Sequence, residues 1–253
     1  MNVTQGRLYV IGLGPGDPGY LTEDARRALE TAQDLIGYAP YLARLPERAG
    51  QTRLASDNRV ELERAREALR RAAQGRLVAL VSGGDPGVFA MAAAVFEAID
   101  TGDPAWRLLD VEVLPGVSAM LAAAARLGAP LGGDFCAISL SDNLKPWETI
   151  VTRLECAVRG DFVIALYNPA SRARPDRIND AFAVLRANLS PETLVVLAKS
   201  VGRAEEELLI SDLAGADLSQ VDMATLVIVG AKGTRRIERP GARPYVYTSR
   251  RVP

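Results

Sequence analysis

Leu8-Tyr9-Val10-Ile11-Gly12-Leu13-Gly14-Pro15-Gly16-Asp17-Pro18 is an apolar run that stops abruptly in a loop of glycine and proline. Leu77-Val78-Ala79-Leu80-Val81-Ser82-Gly83-Gly84-Asp85-Pro86-Gly87 has the same design further along the chain. Short continuous apolar runs bounded by turn residues are the pattern of strands buried on both faces. In an open parallel sheet, ligands bind outside the carboxyl ends of the strands. Glycine there lets the backbone approach a ligand closely. The two loops therefore predict an α/β fold with a small-molecule cleft. A third strand, Val111-Glu112-Val113-Leu114, ends in the similar turn Pro115-Gly116-Val117-Ser118-Ala119.

Between these strands the chain alternates. A helix is predicted over 22–32, with Thr22 as N-cap and Glu23 and Asp24 at the positive end of its dipole. A short strand follows at 34–37. The stretch 40–57 mixes Pro, Gly and Arg and reads as a long loop with at most a helical turn. Asn58 caps a helix running to about Ala73, which Gly75 terminates. A small-residue helix is expected over 88–99 and an alanine-rich one over 118–127. The domain boundary is placed near Pro115, giving an N-terminal α/β domain over 1–114 and a C-terminal one over 115–253. In the second half, strands are predicted at 135–140, 162–166, 194–198, 207–211 and 226–229, with clear helices only near 146–158 and 175–188. Fewer helices than strands implies hairpins and a mixed second sheet. The residues from Gly241 onward read as an irregular arm.

Composition narrows the chemistry. The 253 residues are 48% apolar, ample for a core, and formal net charge is −1, so no basic field points to nucleic acid or an anionic membrane. No apolar run is long enough to span a bilayer, and Met1 to Gly6 lack the pattern of a signal peptide. Cys136 and Cys156 read as reduced core residues of a cytoplasmic protein. Histidine is absent. That removes a Ser-His-Asp triad, a His-paired thiolate and imidazole-ligated zinc, and no protein-built metal site is expected. Proton transfer is left to a carboxylate, Tyr, Lys, Cys, backbone or water.

Gly14-Pro15-Gly16-Asp17-Pro18-Gly19 matches the spacing G-x-G-x-x-G, yet the dinucleotide reading is rejected. That motif opens directly into a helix whose N-terminus holds pyrophosphate. Here two prolines remove amides, and helix signals begin only at Thr22. A Walker lysine is also missing. What remains is a rigid turn offering carbonyls and the carboxylate of Asp17.

Taken in order, the loops resemble the tetrapyrrole methylases, S-adenosylmethionine-dependent enzymes of the cobalamin and sirohaem branch. The resemblance rests on 10–18, Ser82-Gly83-Gly84-Asp85-Pro86, Pro115-Gly116-Val117-Ser118-Ala119, Leu166-Tyr167-Asn168-Pro169 and Thr225-Leu226-Val227-Ile228-Val229-Gly230, and it covers nearly the whole chain. The segment from Asp134 to Glu148, with Ala165-Leu166-Tyr167-Asn168-Pro169-Ala170-Ser171, resembles the members that methylate precorrin-3B at C-17. Relatives commonly carry His where this chain has Gly133.

The resemblance implies two α/β domains with the cofactor in the cleft between them, and a homodimer. It implies S-adenosylmethionine contacts at Pro15, Gly83, Gly84, Asp85, Val88, Ser118, Ala119, Asn168, Val201 and Thr225, mostly through backbone, with S-adenosylhomocysteine as product. The implied reaction is methylation of precorrin-3B with ring contraction to precorrin-4. Asp17 and Asp142 are the candidates for moving protons during contraction. Gly14, Gly16, Lys145, Arg172, Arg174 and Lys199 are the candidates for holding the substrate, whose many carboxylates suit basic side chains. Two other readings stay open: a methylase of the same fold acting on cobalt-precorrin, rRNA or a modified histidine, and a non-catalytic tetrapyrrole carrier. The charge balance counts against rRNA, and the intact cofactor loops count against a carrier.

Overall fold

The computed structural model describes residues 6–57, 60–171 and 173–251. The chain divides into two compact units, Met1–Ser118 and Ala119–Pro253.

The first unit runs β1 (Arg7–Gly12), α1 (Glu23–Thr31), β2 (Asp34–Tyr38), α2 (Ala39–Leu42), β3 (Thr52–Ser56), α3 (Glu61–Ala73), β4 (Leu77–Ser82), α4 (Met91–Thr101) and β5 (Asp110–Leu114). Its five strands form one parallel sheet in the order β3-β2-β4-β1-β5. Alternate residues of β1 and β4 face opposite layers. Leu8, Val10, Val78 and Leu80 pack with α3 and α4, through Leu69, Val95 and Ala98. Ile11, Ala79 and Val81 pack with α1, through Ala25, Ala28 and Leu29. Covering both faces explains the unbroken apolar runs.

α1 and the end of α3 fall where the sequence indicates. Thr22 Oγ1 accepts from Ala25 N at 3.2 Å and caps α1. Gly75, at φ 84°, closes α3 by donating to Ala72 O. Asn58 lies outside the described residues, and the expected cap is corrected: α3 starts only at Glu61, with Val60 in the N-cap position and no side-chain cap hydrogen bond. Within 40–57 the reading allowed a helical turn but missed a strand. The turn is α2, and the missed strand is β3, an edge strand with no apolar run. β3 is held by its ladder to β2 and by Arg53, which donates to the carbonyls of Leu42 and Leu45 at 3.1 and 2.9 Å. α4 begins at Met91 rather than 88, because the side chain of Asp85 turns the chain at Gly87 first.

The second unit runs α5 (Ala119–Leu127), β6 (Gly128–Ala129), β7 (Phe135–Ser139), α6 (Trp147–Arg159), β8 (Val163–Tyr167), α7 (Arg177–Asn188), β9 (Leu194–Lys199), β10 (Glu207–Asp212), β11 (Thr225–Val229), β12 (Thr234–Arg239) and β13 (Ala242–Thr248). The main sheet has the order β10-β9-β11-β8-β7, and only β7 and β8 pair in parallel. It is mixed, as predicted. α6 and α7 cover one face through Ile150, Leu154, Ile178, Phe182 and Leu185. Cys156 is exposed, not core, because it falls off the Ile150–Leu154–Ala157 stripe of α6, and Cys136 is half-buried. The tail is not an irregular arm. β12 and β13 form a hairpin, and β13 pairs in parallel with β6. The hairpin is charged and short of aliphatic residues. It is pinned by buried hydroxyls: Thr248 Oγ1 lies 2.9 Å from Thr234 Oγ1 and donates to Pro130 O at 2.6 Å. Among the described residues no helix is long and apolar enough to cross a membrane.

Candidate functional site

In the first unit the crossover after β1 leads to β2 on one side of the sheet, and the crossover after β4 leads to β5 on the other. β1 and β4 are neighbours, so their carboxyl ends flank the topological switch point, where a crevice opens in sheets of this class. Both glycine loops start there. Gly14 N donates to Gly84 O at 3.1 Å and Gly84 N to Gly14 O at 2.9 Å. Leu13 N donates to Ser82 O at 2.9 Å. Gly14 and Gly84 hold φ of 69° and 64°, the left-handed region that glycine enters without strain. The β5 turn joins them: a Cβ on Gly116 would lie 2.3 Å from Gly84 O and 2.9 Å from Gly12 Cα. Three loops thus interlock backbone on backbone, and side chains are excluded by space.

Asp85 acts as their brace. Its Oδ1 accepts from Gly87 N at 2.8 Å and its Oδ2 from Gly116 N at 3.1 Å. One carboxylate therefore ties the β4 loop to the β5 turn. Val88 N donates to Asp85 O at 3.3 Å within the same loop, and Pro15 is buried. Ser118 is 3% exposed, and its Oγ has no hydrogen-bond partner among the described residues. A buried orphan hydroxyl beside backbone loops is what a polar small molecule would satisfy. The donor set fits S-adenosylmethionine, which needs neutral hydrogen-bonding partners and close backbone approach more than phosphate-binding amides.

Asp17 lies on the exposed side of the first loop. Its Oδ1 accepts from Gly19 N at 2.7 Å and caps a short 3-10 turn, Pro18–Tyr20. Sequence reasoning missed Arg44, whose Nη2 donates to Gly16 O at 3.2 Å and Gly14 O at 3.4 Å. It also missed Tyr41, whose ring lies 2.7 Å from where a Cβ of Gly83 would stand. Both belong to a segment with no periodicity to flag them.

In the second unit, the carboxyl ends of β7, β8 and β9 and the start of β11 meet at one edge of the sheet. Asn168 and Ser200 follow β8 and β9 with φ of 53° and 49°. Asn168 Nδ2 donates to Ser139 Oγ at 2.9 Å. Thr225 opens β11, buried, with its hydroxyl 3.0 Å from Asp222 Oδ1. Val201 is buried after β9, and Ala119 is the first residue of α5. This edge therefore gathers Asn168, Val201 and Thr225, as their assignment to one ligand requires.

Asp142 is not a free carboxylate. Arg174 Nη1 donates to its Oδ1 at 2.6 Å, and Arg177 donates to its Oδ2 through Nη2 at 2.6 Å and Nε at 2.9 Å. The Arg174 hydrogen bond, with help from Arg177 and against burial, holds its pKa below the ordinary carboxylate value. At neutral pH Asp142 is ionised and occupied, which suits positioning better than supplying a proton. Arg177 stacks over the Trp147 ring, 4.7 Å from its centroid. Lys145 Nζ donates to Ser141 O at 2.9 Å, and Lys199 Nζ pairs with Asp222 Oδ2 at 2.9 Å. Arg172 lies outside the described residues. Among the described residues, no three His, Cys, Asp or Glu side chains gather as metal ligands.

Comparison with known proteins follows this geometry. The family model for Tetrapyrrole (Corrin/Porphyrin) Methylases matches residues 7–217. The chain is 54% identical to a precorrin-3B C(17)-methyltransferase from Sinorhizobium sp, over 97% of this chain and 96% of that protein. It is 44% identical to the cobalamin biosynthesis protein CobIJ of Mycobacterium tuberculosis, over 98% of this chain but 49% of that longer protein. The crystal structure of the methyltransferase CobJ superposes with a TM-score of 0.92 at 48% identity, covering 96% of this chain and all of that one. A uroporphyrin-III C-methyl transferase from Thermus thermophilus, complexed with S-adenyl homocysteine, matches with a TM-score of 0.66 at 25% identity, over 89% of this chain and 97% of that one. A family model matched over residues 7–217 and a relative 54% identical nearly end to end place this chain in the tetrapyrrole (corrin/porphyrin) methylases.

Proposed function

We propose that this chain transfers a methyl group from S-adenosylmethionine to C-17 of precorrin-3B, with contraction of the ring to precorrin-4, in cobalamin biosynthesis. The observation that carries the reading is the 54% identity, nearly end to end, with an enzyme named for that methylation. The identity to a probable cobalt-factor III C(17)-methyltransferase of Salmonella typhimurium is lower, 43% over 90% of this chain, which favours the metal-free substrate.

The bound cofactor supplies an already activated methyl. The chain's own task is to hold, orient and exclude water, which in favourable cases lowers a barrier by about 7–11 kcal/mol. Gly83, Gly84 and Ser118 would hold the cofactor in the first unit, with Asp85 keeping their loops in register. Asn168, Val201 and Thr225 would do so in the second. Absence of histidine is compatible with methyl transfer, which needs no strong general base. Contraction moves protons, and Asp17 is the better placed candidate, since it is exposed and its second oxygen makes no hydrogen bond within the chain among the described residues. The protein acts in the cytoplasm as a homodimer in this reading.

Anaerobic incubation with precorrin-3B and methyl-labelled S-adenosylmethionine, followed by mass and NMR analysis, tests the proposal. Label at C-17 in a contracted ring is the expected result. Label at another carbon, or none, overturns it.

A further inference from the structure

A Cβ added at Gly83 would lie 2.7 Å from Cζ, 2.9 Å from Cε1 and 2.9 Å from Oη of Tyr41. The phenol end of Tyr41 therefore fills the space that a side chain at Gly83 would take. Tyr38, the last residue of β2, braces the ring edge-on, with centroids 5.4 Å apart and planes at 88°. Tyr41 is half-buried, and its hydroxyl makes no hydrogen bond among the described residues. A tyrosine hydroxyl left unmet beside a ligand loop is held ready for a polar partner.

Sheet order separates the two reactants. β2, which leads into Tyr41, and β5, which leads into Ser118, flank the central pair β4 and β1 on opposite sides. The β5 side carries the orphan Ser118 hydroxyl and the Gly116 turn that Asp85 braces, features that suit the cofactor. The β2 side is then left for the methyl acceptor. Arg44, three residues past Tyr41, donates to the Gly14 and Gly16 carbonyls, so the same segment also holds the loop that carries Asp17. Arg64 is buried close enough to the Tyr38 and Tyr41 phenols to interact with their charge. A nearby cation strengthens a phenol as a hydrogen-bond donor, which suits the carboxylates of a tetrapyrrole.

We infer that Tyr41 is a substrate-binding residue: its hydroxyl donates a hydrogen bond to a carboxylate arm of the tetrapyrrole, and Gly83 is small to make room for its ring. The backbone of Gly83 stays available to the cofactor. This rests on the function proposed above. S-adenosylmethionine also carries a carboxylate, so the test separates the two sources.

The experiment uses the full chain with Tyr41→Phe, Tyr41→Ala, Gly83→Ala and the last two combined, with thermal unfolding recorded for each. Initial rates are measured anaerobically against precorrin-3B, and S-adenosylmethionine affinity by calorimetry. Tyr41→Phe keeps the ring and loses only the hydroxyl. Its Tm should hold while KM for precorrin-3B rises about 10-fold. Its kcat should fall far less than KM rises, and cofactor affinity should stay within twofold. Gly83→Ala should lower Tm and raise KM when Tyr41 is present, and change neither Tm nor cofactor affinity once Tyr41→Ala has emptied the space. Folded Tyr41→Phe with a wild-type KM overturns the inference and leaves the proposed function standing. Cofactor affinity that falls while KM holds reassigns the hydroxyl to the cofactor and also overturns it. So does a Gly83→Ala penalty that is equal with and without the Tyr41 ring. Wild-type protein that neither binds nor methylates precorrin-3B overturns the proposed function, and the role of Tyr41 with it.

Discussion

Replacing Asp85 separates bracing from direct contact with the cofactor. Asp85→Ala removes two acceptors at once, Oδ1 to Gly87 N at 2.8 Å and Oδ2 to Gly116 N at 3.1 Å. Hydrogen bonds to a charged group contribute about 1.5–3 kcal/mol when buried. Asp85 is half-buried, so about 1 kcal/mol each is the fitting scale, or about 2 kcal/mol for the pair. In a chain of this length that lowers Tm by about 4–8 °C. If the loops must be re-formed when ligand binds, the same energy weakens S-adenosylmethionine by about 30-fold. Asp85→Asn keeps one acceptor and turns an amide nitrogen toward the other N–H, so it loses at least half of both effects. Calorimetric titration with S-adenosylmethionine, paired with thermal unfolding, measures the two together. Bracing predicts that affinity and stability fall in proportion. Wild-type values for both in Asp85→Asn would refute the reasoning. A thousandfold loss of affinity at unchanged Tm would also refute it, because that pattern belongs to a side chain that touches the ligand.

Gly116→Ala places a methyl 2.3 Å from Gly84 O, where neither backbone can yield cheaply. It should destabilise by about 1–3 kcal/mol and weaken the cofactor, as denaturant unfolding and calorimetry would report. Asp34 is fully buried between Arg71 and Arg76. Burial alone would raise its pKa, but hydrogen bonds from Arg76 and Arg71 outweigh it and lower the value. Its folded pKa is depressed, so its contribution is present above the ordinary carboxylate pKa and lost as pH falls through the folded value. Asp34→Asn should cost about 3 kcal/mol at pH 7 and flatten the acid side of a stability-versus-pH curve, and an unaltered acid limb would count against this. Asp17→Asn keeps an oxygen for Gly19 N, so Tm should hold while ring contraction slows; an undiminished contraction rate removes Asp17 from proton transfer.

The parallel sheet was legible because its central strands are buried on both faces and therefore carry unbroken apolar runs. β3, β12 and β13 were not, because they sit at or near sheet edges where side chains face water and no such run is required. β13 has Tyr245 and Tyr247 exposed and only Val246 and Thr248 buried, a thin alternation beside a Pro-Gly turn. Its place depends on β6, more than a hundred residues earlier. The cofactor loops could be read because glycine at a strand end is a local requirement. The partners of those loops could not, because Arg44 and Tyr41 reach them only after α2 folds beside the sheet.

The amino-acid sequence by itself determined the α/β class, the glycine loops at strand ends, the Thr22 cap and Gly75 stop, and the absence of imidazole chemistry. Each follows from residues within a few positions of one another, or from composition alone. Only the tertiary structure decided what the charged side chains do. Asp85 became a brace because Gly116 arrives from another strand with an N–H to satisfy. Asp142 became a held carboxylate because Arg174 and Arg177 approach from a later loop and helix. The role of a carboxylate is set by which donors reach its two oxygens, and those donors are brought there by the fold.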